Sequence, residues 1–133
     1  MKLFPELSKR YTEESLSARE AQRLAEFIAW GPAVFQASRL MVKFGILDIL
    51  RDSKDGLTLG EIVEKSGLSE YAVKCLMEAS LSIGIVLIDT DMDKYTISKT
   101  GWFLLNDPAT RVNMDFNHDV NYEGWFRLEE SLK

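Results

Sequence analysis

The sequence predicts a mainly α fold with a small β-hairpin: a winged helix-turn-helix with extra N- and C-terminal helices. Three observations lead there. Helix-start signals recur at Ser17, Thr58 and Ser69, the first two completed by a glutamate three residues on. Behind each start, apolar residues return at helical spacing. After Gly84 the pattern changes to two short β-branched runs separated by aspartates, which reads as a hairpin. Helix, short helix, tight turn, helix and hairpin, in that order, is the winged helix-turn-helix plan.

Residues 1–14 are mostly polar, are broken by Pro5 and read as an N-terminal arm, while residues 15–133 read as the winged-helix domain. Ser17 and Glu20 form a capping box, in which each side chain satisfies a backbone N–H of the first helical turn. Ala21, Leu24, Ala25 and Ile28 make the apolar stripe of that helix, with Phe27 beside it. Trp30-Gly31-Pro32 ends it, because proline cannot donate and disfavours a helical residue before it. A second helix is expected from Ala33 to Leu50. Val34, Ala37, Met41 and Phe44 share a face, and Leu40, Ile46, Leu47, Ile49 and Leu50 widen it. A helix apolar this far round needs cover on more than one side.

Residues 51–57 form a turn. Thr58 and Glu61 open a short helix with Leu59, Ile62 and Val63 inward; Gly67 then serves as C-cap and Ser69 as the next N-cap. The longer helix that follows aligns Val73, Leu76, Met77 and Leu81, tolerates small Ser80 at a close contact, and ends at Gly84. Ile85–Ile88 and Lys94–Ile97 are the strands, and Asp89–Asp93 is the turn between them. Trp102–Leu105 is a short amphipathic piece, and Asp107-Pro108 is an N-cap with proline at the first helical position. The last stretch places Tyr122, Trp125, Phe126 and Glu129 on neighbouring turns. It reaches Lys133 without a stop signal, which reads as a fragment of something longer.

At 133 residues the chain can form one compact domain, burying about two-thirds of its unfolded surface. The absence of an 18-residue apolar run predicts no transmembrane helix, and the polar N-terminus has no secretory h-region. Lone Cys75 cannot form an internal disulfide, which suits a reducing cytoplasm. Its place in an apolar helical pattern predicts a buried, inert thiol.

Several residue groups invite a chemical reading, and each has a plainer one. Asp89-Thr90-Asp91-Met92-Asp93 begins like a calcium loop, but the required glycine and terminal glutamate are replaced by Lys94 and Thr100. It reads as a solvated turn. His118, the only histidine, precedes Asp119, a pairing able to act as a base. No nucleophile or further zinc ligand has suitable spacing, so a polar contact at a helix junction is expected. The glycines form no phosphate-binding loop. Trp102, Phe103, Phe116, Tyr122, Trp125 and Phe126 are expected in a core or an interface rather than a ligand pocket. No catalytic, cofactor-binding or metal-binding residue is therefore nominated.

Charge bears on partners. The net charge is −5, whereas duplex affinity comes mostly from clustered Lys and Arg. Across residues 58–98, Lys65, Lys74 and Lys94 face Glu61, Glu64, Glu70, Glu78, Asp89, Asp91 and Asp93. The recognition-helix positions Glu70, Tyr71, Lys74 and Glu78 offer no arginine for guanine. No nucleic-acid partner and no membrane partner are expected.

Phe44-Gly45-Ile46-Leu47-Asp48-Ile49-Leu50, then Leu57-Thr58-Leu59-Gly60-Glu61-Ile62, then Ser69–Gly84, then Tyr95-Thr96-Ile97-Ser98-Lys99-Thr100-Gly101 carry a family resemblance. In order and spacing they are similar to the N-terminal winged-helix dimerisation domain of S-adenosylmethionine-dependent O-methyltransferases acting on small molecules. The resemblance extends over roughly residues 15–130. It implies a homodimer and a Rossmann-like catalytic domain downstream of Lys133. That domain would bind S-adenosylmethionine and, with this one, enclose a small-molecule methyl acceptor. No catalytic residue of the family maps onto this chain, which would not be catalytic alone. Two other readings stay open: a winged-helix transcription regulator binding DNA, and a stand-alone protein-interaction module.

Overall fold

A computed structural model describes residues 5–133 and is mainly helical with one two-stranded antiparallel hairpin. The chain divides into two compact units, the first ending at Ala33 and the second running Val34–Lys133. In the first unit, α1 (Pro5–Thr12) lies within the segment expected to be an arm, whose residues 1–4 fall outside the described ones. Pro5 starts this helix rather than interrupting one. At a first position its missing N–H has no helical partner to lose. Helix α2 (Ala18–Ala29) opens on the expected capping box. Ser17 Oγ accepts from the Glu20 N–H at 3.3 Å and the Glu20 carboxylate accepts from the Ser17 N–H at 2.8 Å. The Ser17 hydroxyl also donates to the Glu20 carboxylate at 2.7 Å, and this bond, with that from the Ser17 N–H, holds the Glu20 carboxyl below its ordinary range.

The single helix expected from Ala33 to Leu50 is two: α3 (Gly31–Lys43) and α4 (Ile46–Arg51). Gly45 lies between them at φ +72°, a left-handed conformation that glycine enters without a Cβ penalty. The break divides the over-wide apolar face. Met41 is buried from α3, and the redirected α4 buries Ile46, Leu47 and Leu50. Helix α5 (Leu59–Ser66) starts at the Thr58–Glu61 capping box and ends at left-handed Gly67. Helix α6 (Glu70–Ile83) starts at Ser69, whose hydroxyl accepts from the Ala72 N–H, and ends at left-handed Gly84.

Strands β1 (Val86–Asp89) and β2 (Lys94–Ile97) pair from Val86 opposite Ile97 to Asp89 opposite Lys94. Leu57 bridges to Tyr95 through bonds of 3.0 and 2.7 Å, lacing the turn after α4 onto β2. Helices α7 (Lys99–Asn106) and α8 (Pro108–Phe116) follow, the latter capped by Asp107 with Pro108 at its first position. A π-helical turn at Asn117–Asn121 leads into α9 (Tyr122–Phe126) and α10 (Leu128–Leu132).

The core of the second unit gathers Met41, Ile46, Leu47, Leu50, Leu57, Ile62, Val73, Met77, Ile85, Val86 and Leu105. Ser98 joins four elements around it. Its hydroxyl donates to the Gly84 carbonyl at 2.7 Å and accepts from the Gly101 N–H at 3.1 Å. Its own N–H donates to the Ile85 carbonyl at 3.2 Å. The close approach this requires leaves no room at Gly101, where a Cβ would lie 2.2 Å from the Ile85 oxygen. Ser80 is fully buried, yet its hydroxyl has no hydrogen-bond partner.

Two alanine substitutions should therefore have opposite effects in denaturant unfolding. Gly101→Ala is expected to destabilise the fold by at least about 2 kcal/mol, because backbone must move to admit the methyl group. Ser80→Ala removes an unpartnered buried hydroxyl and should leave stability unchanged or raise it by up to about 1 kcal/mol. A neutral Gly101→Ala, or a Ser80→Ala as costly as a core truncation, would contradict this packing.

Candidate dimerisation surface

Helix α2 contains no buried residue. Leu24, Phe27 and Ile28 stand at i, i+3 and i+4, so they share one face. Arg19, Gln22 and Glu26 occupy the opposite side, and Arg23 flanks the stripe beside Phe27. Leu24 and Phe27 are 49% exposed, Ile28 69% and the capping Trp30 65%. An amphipathic helix whose apolar stripe faces water is the pattern of an element awaiting a partner.

The second unit carries apolar surface of its own. Trp102 and Phe103 on α7 meet edge to face, with ring centroids 5.2 Å apart, and both are exposed. Val112, Phe116 and Val120 follow at four-residue steps and are likewise exposed. Tyr122, half-buried, stacks on Phe35 at 5.6 Å and so ties the C-terminal run to α3. The Trp125 indole N–H donates to Asn117 Oδ1 at 3.2 Å. Tyr122, Glu123, Phe126 and Arg127 line a recess of about 440 Å³. Of the six aromatics expected in a core or an interface, only Tyr122 is appreciably buried, so they are not core residues.

The groups singled out for chemistry lie apart from one another. His118 Nδ1 contacts Asp119 Oδ1 at 2.7 Å inside the π-helical turn, the expected junction contact. That bond, with longer-range attraction from Arg39 and Lys43, holds the Asp119 carboxyl below its usual range. Asp89 Oδ1 accepts from the N–H groups of Asp91 and Met92, so this carboxylate is engaged by its own turn. Among the described residues, no three metal-ligating side chains gather.

Cys75 is exposed, not buried as its neighbours suggested. It lies two residues from both Val73 and Met77, about 200° round the helix from each inward position. Its hydrogen bond with Tyr71, one turn earlier, pushes the tyrosine hydroxyl up. Glu70, Tyr71, Lys74 and Glu78 are also exposed on α6, as are Asp89, Asp91 and Asp93 at the hairpin tip.

S-adenosylmethionine requires a glycine-rich turn between a strand and a helix N-terminus. The described residues do not fit that need. The left-handed glycines Gly45, Gly67 and Gly84 are at helix ends and Gly56 is in the turn laced to β2. The two strands form an antiparallel hairpin, not the parallel edge of a Rossmann-like sheet.

Comparisons with known proteins agree with this geometry. The family model described as the Dimerisation2-like domain matches residues 22–95. Among solved structures, the chain is similar to the apo form of the S-adenosylmethionine-dependent methyltransferase SibL, with 17% identity and a TM-score of 0.68. The match covers 80% of this chain and 31% of that one. At this identity the likeness is one of fold. No curated protein matches the sequence.

The exposed acidic face of α6 and the hairpin predicts negligible duplex affinity at physiological salt. Fluorescence anisotropy against random and genomic duplexes checks this. Sub-micromolar binding that weakens steeply with salt would contradict it.

Proposed function

We propose a function from one premise: the chain belongs to the Dimerisation2-like domain family. On this reading it is the dimerisation domain of an S-adenosylmethionine-dependent methyltransferase that acts on a small molecule. The observation that carries the proposal is the exposed Leu24–Phe27–Ile28–Trp30 surface, on and just after the helix where the family match begins. Fully burying one such side chain contributes roughly 1.5–3 kcal/mol, so pairing this stripe with that of a second copy gives a substantial driving force. The methyltransferase assignment is supported by the shared fold with part of SibL.

Binding of the methyl donor, and any catalytic base, fall in this proposal to a Rossmann-like domain beyond Lys133. The recess at Tyr122, Glu123, Phe126 and Arg127 would give this domain a mainly apolar wall toward the methyl acceptor. A cytoplasmic setting fits the exposed free thiol of Cys75, which an oxidising compartment would expose to disulfide exchange.

Analytical ultracentrifugation tests the proposal directly. The chain should sediment as a dimer at micromolar concentration, with an interface of roughly 2,000 Å² or more. Leu24→Asp combined with Ile28→Asp should shift it to monomer. Helical circular dichroism should be retained, because neither side chain is buried within the chain. A parent chain that stays monomeric at high concentration would overturn the proposal.

A further inference from the structure

One recess in the second unit is lined chiefly by charge. It encloses about 170 Å³ between α3 and α8, and its walls are Arg39, Val42, Lys43, Arg111, Met114 and Asp115. Arg39 and Lys43 stand four residues apart on α3, so both lie on one face of that helix. From α8, Arg111 Nη1 donates to the Leu105 carbonyl at 3.0 Å, which orients the guanidinium and leaves further N–H groups available. Val42 and Met114 supply apolar wall. Three cations thus meet in a chain whose net charge is −5.

Among the described residues these cations have no close ion pair. Arg39 Nε is buried and has no hydrogen-bond partner. A guanidinium N–H withdrawn from water without an acceptor is unfavourable, and the desolvation cost is larger for a charged group than for a neutral one. Asp115 is on the wall, yet among the described residues no ion pair joins it to Arg39, Lys43 or Arg111. Nor does Asp119, whose near partner is His118.

We propose that this recess binds a small oxyanion, a phosphate or carboxylate group, through Arg39, Lys43 and Arg111. Arginine and lysine side chains are donors with no acceptor, and the guanidinium fork matches an oxyanion in two parallel bonds. The volume lies below the roughly 300 Å³ at which sites for drug-sized ligands begin, so the recess suits a single anionic group. The proposal is independent of the dimerisation reading.

Calorimetric titration of the 133-residue chain with inorganic phosphate, and separately with malonate, tests it at an ionic strength held constant with sodium chloride. Saturable binding of about one anion per chain is expected. Stronger binding of phosphate marks a phosphoryl site, and stronger binding of malonate a carboxylate site. Arg39→Gln should weaken binding at least about tenfold, and Lys43→Gln several-fold, since charge-assisted bonds are the strong ones. Asp115→Asn removes the one acidic side chain of the wall and should tighten binding. Lys43 and Asp115 are exposed, so these two variants decide the matter even if Arg39→Gln fails to fold. No saturable heat above sodium chloride, or Lys43→Gln and Asp115→Asn that both bind like the parent, would overturn the proposal.

Discussion

Among the described residues, the buried apolar ones all lie from Met41 to Met114. That constraint governs the rest of the molecule. Glycine at position 45 lets α3 and α4 diverge, so that Met41, Ile46, Leu47 and Leu50 all reach one core. Ser98 then holds the end of α6, the start of β1 and the start of α7 within hydrogen-bond distance of one another. In the first unit, α2 has no buried residue. Large side chains at helical spacing are left in water, where each forfeits the free energy that burial would return. The surface that a family of dimerisation domains needs is thus a consequence of how the core closes.

The same structure places acidic side chains where a winged helix that reads DNA would meet the duplex. The positions on α6 that would enter a major groove carry Glu70 and Glu78, and the hairpin tip that would approach phosphates carries three aspartates. A duplex gains most of its affinity from opposite charge, so this face repels where a reader must attract. The apolar surface lies elsewhere, on α2, α7 and the C-terminal helices. Electrostatics and exposed apolar area therefore favour a protein partner over a nucleic acid.

Features set by one or two neighbouring residues were legible in the sequence. The capping boxes at Ser17 and Thr58, the glycine C-caps at 67 and 84, the Asp107–Pro108 start and the hairpin all follow local rules, and each is found. Features set by tertiary packing were not. Gly45 sits inside an apolar run whose periodicity reads as one helix, because periodicity does not register backbone handedness. Cys75 shares its helix with buried neighbours but points away from them, and composition alone averages the two faces. The exposed aromatics were legible only as core or interface, since helical spacing specifies a face but not what covers it. The cationic recess was invisible for a different reason. Arg39 and Arg111 are far apart in sequence and meet only because α8 packs back beside α3.

Hydrogen exchange across residues 18–29, measured over a range of chain concentrations, tests most directly whether α2 is covered by a second copy. Exchange of backbone amides reports local opening, and burial of a helix in an interface suppresses it. The account predicts that protection of α2 rises with concentration while that of α5 and α6 in the closed core does not change. Protection of α2 that stays low at every concentration would contradict it, because the stripe would then remain in water in every state of the chain.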